Sequence, residues 1–117
     1  MVQPVVSKSS EVEEMDLEGG GKIRWLITHR NGAPNFSMRL IVVPEGSTTP
    51  AHKHDYEHEI FIISGRGESV LDGKASKLGP NSFLFIPGGV FHTIKAKKKM
   101  RMICIVPIEA AKKILGP

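Results

Sequence analysis

From Ile23 onward the chain is built of short runs rich in Ile, Val, Phe and Leu, cut by Gly, Pro and Asn. Runs of four to eight such residues between turn formers read as β-strands. The candidates are Ile23–Thr28, Phe36–Val43, Glu59–Ser64, Gly67–Leu71, Ser82–Ile86, Phe91–Ala96 and Arg101–Val106. Between them lie Asn31-Gly32, Pro44-Glu45-Gly46, Asp72-Gly73, Gly79-Pro80-Asn81 and Pro87-Gly88-Gly89, all turn signals. Short strands at roughly 8–12-residue spacing predict an all-β sandwich or barrel. One segment differs. Ile108–Leu115 carries the helix formers Ala110, Ala111, Lys112 and Lys113 and ends at Gly116-Pro117, which predicts a short C-terminal helix. Residues 1–20 hold no steady period, and an acidic stretch (Glu11, Glu13, Glu14, Asp16, Glu18) precedes three glycines. They predict a mobile or strand-forming arm, leaving 21–117 as a single domain.

Several strands are apolar on both faces. Ile60, Phe61, Ile62 and Ile63 leave no polar side, and neither do Leu40–Val43 or Met102–Val106. An antiparallel strand with one solvated face alternates instead. A chain of this length can scarcely cover both faces of one sheet, so a homodimer over the face holding Phe61 and Ile63 is expected.

Composition narrows the function classes. The 117 residues make one domain, and 40% hydrophobic with 24% charged residues is ordinary for a globular protein. No apolar run approaches the ~18–20 residues of a membrane span, and the N-terminus lacks the features of a signal peptide. One cysteine, Cys104, forms no internal disulfide, which favours a reducing, cytoplasmic setting. A net charge of +4 is too mild and too dispersed to predict nucleic-acid binding. The one basic cluster, Lys95, Lys97, Lys98, Lys99 and Arg101, reads as a solvated hairpin turn.

The histidines carry the chemistry. Three of five fall in His52-Lys53-His54-Asp55-Tyr56-Glu57-His58, and His92 follows the Pro87-Gly88-Gly89 turn. On a strand, His52 and His54 share a face. After a loop at Asp55–Glu57, His58 opens the next strand on the inward side of Ile60 and Ile62. His92 opens another strand beside Ile94. An isolated His-X-His pair is as often a surface or hydrogen-bonded pair as a ligand pair. Four imidazoles converging in an apolar interior are best explained as ligands of a metal ion.

The spacing Gly46, five residues, His52, one, His54, three, His58, six, Gly65 resembles the first motif of the cupin superfamily. Pro87-Gly88-Gly89-Val90-Phe91-His92 resembles the second. The stretches Ala33–Leu40 and Glu57–Phe61 are most similar to compact, single-domain manganese-type cupins with four histidine ligands. The resemblance runs from Ile23 to Pro107 and implies a double-stranded β-helix, or jelly-roll barrel. It implies one divalent transition metal per chain (Mn, Fe, Ni, Cu or Zn) on His52, His54, His58 and His92. Three positions depart from the usual pattern. The third ligand is normally glutamate; a four-residue gap would select Glu59, while the six residues to Gly65 favour His58. Asn81 replaces a glycine, and Ala96 replaces an asparagine. The resemblance also turns Cys104 toward the barrel interior.

His29 falls outside both motifs and reads as surface or interface. Arg39, mid-strand among apolar residues, is left between pairing at an interface and anchoring an anionic substrate. Four neutral ligands would leave the metal's charge uncompensated and two positions of a six-coordinate ion open. The mouth is expected to be lined by Ile60, Ile62, Ile94, Met102 and Phe83 or Phe85, suiting a small organic molecule. No side chain is assigned as catalytic, since Glu57 and Glu59 should point away. The expected function is a metal-dependent, dioxygenase-like oxidoreductase. The alternatives are a non-catalytic metal or ligand binder, and a decarboxylase or isomerase.

Overall fold

In the computed structural model, which describes residues 2–117, seven strands and one α-helix form. They are β1 (Met15–Leu17), β2 (Gly21–Ile27), β3 (Phe36–Val43), β4 (His58–Leu71), β5 (Lys74–Leu78), β6 (Phe83–Ile86), β7 (His92–Pro107) and α1 (Ile108–Leu115). The strands pair antiparallel in the order β1-β2-β3-β7-β4-β5, with β6 added to β4. The result is an antiparallel, jelly-roll-like barrel closed by a short C-terminal helix. No helix among the described residues is long and apolar enough to cross a membrane. Of the N-terminal segment, Met15–Leu17 pairs with Ile23–Gly21 at the sheet edge. Met1 lies outside the described residues.

Two pairs of expected strands are continuous. Glu59–Ser64 and Gly67–Leu71 belong to the 14 residues of β4, and Phe91–Ala96 and Arg101–Val106 are joined in the 16 residues of β7. The lysine cluster is therefore not a hairpin turn. Its charged side chains are exposed positions of β7, with Ala96 and Met100 buried between them. What replaces the turns is a bulged corner. The β4–β7 register shifts between Ile62 and Ser64, Ser64 and Arg66, and Arg66 and Gly67. Bulges of this kind bend a ladder without breaking it. Gly65 has φ +90°, and a Cβ there would lie 2.1 Å from the Lys99 carbonyl oxygen. Strand β5 had no apolar signal to announce it. It is an exposed edge strand, with only Leu78 buried, held by the hairpin across Asp72-Gly73.

The corner positions the site. Glu59 pairs with Ile105 at one end of the ladder and Leu71 with His92 at the other. A flat ladder of that length would hold its ends roughly 40 Å apart. Folded at Gly65, it brings His58 and His92 together, their ring centroids 4.9 Å apart.

The core fills the inside of the fold. Val43, Ile62, Met100, Met102 and Cys104 are fully buried. Alternation along β4 sends Ile60 and Ile62 inward, and Phe61 and Ile63 outward. Phe61 pairs across the ladder with Phe83. Phe36, Phe61, Phe83 and Phe85 are all exposed, Phe83 at 81%. The outer apolar face thus lacks cover from the chain's own arm.

Alanine at Gly65 should cost about 2 kcal/mol or more, because φ strain and a backbone clash act together. Alanine at Gly73, where φ is also positive but nothing lies within 4 Å, should cost only about 1 kcal/mol. Urea unfolding of the two variants checks the ranking. Equal losses would mean that the corner tolerates a side chain.

Candidate metal centre

Each histidine of the cluster is placed by a different piece of backbone. His52 forms an isolated antiparallel bridge with His92. The His52 N–H donates to the His92 carbonyl at 3.2 Å, and the His92 N–H donates to the His52 carbonyl at 2.9 Å. His54 does not continue a strand, contrary to the parity argument. It sits in the loop before β4, where the Gly89 N–H donates to its carbonyl at 2.6 Å. Gly88 packs so closely on this loop that a Cβ would lie 2.4 Å from the Asp55 oxygen. The Pro-Gly-Gly turn and the histidine loop therefore fit together backbone to backbone. His58 is the first residue of β4, opposite Ile86, and His92 is the first of β7.

One nitrogen atom from each of the four rings lies within 4.8 Å of every other. His54 Nδ1 is 2.9 Å from the Tyr56 carbonyl, and His92 Nδ1 is 2.9 Å from the Val90 carbonyl. A carbonyl only accepts, so both rings carry the proton on Nδ1 and leave Nε2 with a lone pair. The His54 and His58 Nε2 atoms are 2.7 Å apart. His54 also stacks on Tyr56 at 3.7 Å between centroids. This is a donor set of four imidazoles, two of them held in the tautomer that leaves Nε2 open to a metal, and it could hold one metal ion. Glu59 is exposed on the opposite side of β4 and lies outside the cluster.

The site is also electrostatically prepared. Burial, then the neighbouring His92, lowers the pKa of His52. Burial, then His52 and His92, does the same at His54. His58 is pushed down to about 2, first by burial and then by Arg39. Neutral imidazole is the ligand form.

Behind His58 sits a buried pair. Arg39 Nη2 lies 3.1 Å from His58 Nδ1 and donates to Cys104 Sγ at 2.8 Å, while His58 Nδ1 is 3.1 Å from the same sulfur. Burial pushes the Cys104 thiol up. Cys104 thus faces the interior, as the resemblance implied. Arg39 also points inward, its guanidinium carbon 5.0 Å from the Trp25 ring centroid. Both groups line a cavity of about 220 Å³ beside the histidines, whose walls include Trp25, Ile41, Ile60, Ile94 and Met102. Ile60, Ile94 and Met102 stand where expected. Ile62 is packed into the core, and Phe83 and Phe85 lie on the outer face instead. Their parity explains it, since they alternate with the inward Leu84 and Ile86. Trp25 and Tyr56 were missed. Trp25 shares parity with the buried Ile23, a signal that was available, whereas Tyr56 reads only as loop. His29 lies elsewhere, with Nε2 2.7 Å from the Gly116 carbonyl.

Comparison with known proteins places the fold. The profile of the Cupin domain matches residues 39–106. The chain belongs to the cupin family. Polyketide synthase CurC of Streptomyces cyaneus is 29% identical over 98% of this cupin and 77% of its own length. The polyketide cyclase RemF from Streptomyces resistomycificus superposes with a TM-score of 0.82 at 25% identity, covering 91% of this chain and 80% of RemF. Ectoine synthase from P. lautus shares the fold, with a TM-score of 0.79 at 21% identity over 89% of this cupin and 78% of the synthase.

The depressed histidine pKa values set a sign for acid stability. Below about 6.5 the unfolded chain takes up protons on His52, His54 and His58, whereas the folded metal-free cluster resists them. Stability is therefore full above that pH and falls as pH drops toward the folded value of His58. Thermal melts of chelator-treated protein should show a falling midpoint from pH 7.5 to 5, less steeply in His58→Gln. Equal slopes would show that His58 titrates normally.

Proposed function

We propose that this cupin holds one divalent first-row metal through His52, His54, His58 and His92 and oxidises a small organic substrate in the adjoining cavity. The observation that carries the reading is the opening of an all-imidazole cluster onto an apolar cavity with no carboxylate at the cluster. Glu57 and Glu59 are exposed and turned away from it, and Asp16, on the cavity's outer lining, pairs with Lys22. When bound, the metal would supply a Lewis-acidic, redox-capable centre whose charge no ligand cancels. Manganese is the choice that the resemblance to four-histidine cupins favours.

The chain's own groups do the rest. Apolar walls at Ile60, Ile94 and Met102 limit water around the substrate. Tyr56, stacked on His54, presents a phenol on the wall, and burial pushes its pKa further up. With no carboxylate base at the cluster, hydrolysis is the less natural use. A second reading has its own support. RemF is a polyketide cyclase and CurC a polyketide synthase by name, so ring closure assisted by the same centre is the alternative to oxidation.

The outer face supports a further part of the proposal. The exposed Phe36, Phe61, Ile63, Phe83 and Phe85 form the surface of a homodimer, in which each copy covers the face the other leaves bare. A cytoplasmic setting belongs to the same reading, given the single free, buried cysteine.

Elemental analysis of protein purified without added metal should find one transition metal per chain. His58→Ala should lower occupancy severalfold, with Glu59→Ala unchanged; the reverse pattern would overturn the ligand assignment. Oxygen uptake with small molecules bearing two adjacent oxygen donors tests the reaction. Turnover that is undiminished under argon would replace oxidation by ring closure or another non-redox use. Light scattering should give twice the chain mass at micromolar concentration and a monomer for Phe61→Glu. A monomeric wild type would remove the dimer.

A further inference from the structure

Arg39 is the unusual group in this cavity. It is 6% exposed in the middle of β3, and its Nε is buried without a hydrogen-bond partner. Only Nη2 is engaged, by neutral groups: the His58 ring and the Cys104 sulfur. No ion pair among the described residues includes it. A guanidinium cannot neutralise itself by losing its proton, and burying such a charge without a counter-ion is costly. The indole of Trp25 offsets part of that cost. It does not supply the planar pair of acceptors that a guanidinium fork matches.

We infer that Arg39 anchors the carboxylate of a small apolar acid whose body fills the cavity beside the histidine cluster. The inference deepens the proposed function, since it names the substrate class of the same site. Three features support it. The unpartnered Nε belongs to a residue that lines the cavity. The remaining wall is mainly apolar, and Arg39 is the one guanidinium or ammonium group in it. Of the chain's own groups, Arg39 alone therefore offers a charge to an anion, while the rest accommodates a skeleton. The volume, about 220 Å³, lies below the ~300 Å³ at which sites for drug-sized ligands begin, so the acid must be small. The link to His58 loosens in the form the cluster needs. A ring that binds through Nε2 carries its proton on Nδ1, and then donates to Cys104 instead of accepting from Arg39. Nη2 then keeps only its contact with Cys104, and the guanidinium is left with still fewer acceptors of its own.

A structural role, in which Arg39 merely orients His58, makes a different forecast, and three ligands separate the two. Benzoate offers ring and carboxylate, benzamide keeps the shape without the charge, and acetate keeps the charge without the ring. Titration should be followed by the fluorescence of Trp25, the chain's one tryptophan, in both metal-loaded and chelator-treated protein. Benzoate should bind both forms, with benzamide and acetate weaker by about tenfold or more. Arg39→Gln should lose benzoate binding by a similar factor, and Arg39→Lys should keep part of it. If Arg39→Gln does not fold, Arg39→Lys and the benzoate–benzamide ratio decide. Benzamide binding as well as benzoate would overturn the inference, as would no benzoate binding in either form or unchanged binding in Arg39→Gln. Benzoate binding only when metal is present, and independent of Arg39, would move carboxylate recognition to the metal and leave the metal reading standing. Arg39-dependent binding in a protein that takes up no metal would do the opposite.

Discussion

The fold-back of the β4–β7 ladder is the constraint on which the rest depends. Two strands of 14 and 16 residues are too long for one flat sheet in a domain this size. They stay paired only because the ladder turns a corner at Gly65 and Gly67, where a side chain would meet the Lys99 or Lys95 carbonyl. The corner does three things together. It closes the interior around Ile62, Met100 and Met102, and it places His58 and His92 side by side from opposite ends. It also commits both strands to a fixed parity, so that every inward residue on one face is matched by an outward residue on the other. The loop carrying His52 and His54 then needs only to lie across the gap. The bridge between His52 and His92, and the seating of Gly88 against Asp55, hold it there.

The interior so formed has an unusual charge balance. Most buried charges in proteins are paired, and most polar groups in an apolar wall are there to satisfy one another. Here three imidazoles have pKa values lowered by burial, and Arg39, the one buried Lys or Arg among the described residues, has no carboxylate partner. Such an interior is stable with respect to its own groups because the imidazoles stay neutral. The proposed ligands, a cation at the imidazole lone pairs and an anion at the guanidinium, would each bring the charge that the other's neighbourhood lacks.

Much of this was legible in the chain. Turn residues and β-branched runs located the strands, and β3 and α1 match the expected spans residue for residue. The motif spacing singled out the four histidines that the structure draws together. The failures over where strands begin and end share one physical cause. Local signals treat Gly65 and the lysine run as breaks, because glycine and consecutive charges usually end strands. Whether a ladder continues through them depends on pairing with a distant partner, which no local window contains. Lys74–Leu78 was missed for the same reason, since its strand character comes wholly from β4. Trp25, Arg39 and Tyr56 meet in the cavity from three separate segments, and only the closed barrel shows that they face one another.

Parity also decides the one ambiguity inside the histidine motif. A slip of one residue along β4 would exchange His58 for Glu59 and, with it, every inward side chain for its outward neighbour. Ile60 and Ile62 would leave the core, and Phe61 and Ile63 would have to enter it. The glycine at position 65 opposes this, because a slip would carry a side chain into the corner, where a Cβ would lie 2.1 Å from the Lys99 carbonyl oxygen. Six residues separate His58 from the corner, an arrangement in which the buried position is histidine and the exposed one glutamate. The bend thus decides which of the two faces the cluster, a neutral imidazole or a carboxylate, through a residue with no side chain. That the cluster is made of imidazoles alone, among the described residues, follows from backbone geometry, and any cation held there would keep its charge uncompensated beside Arg39.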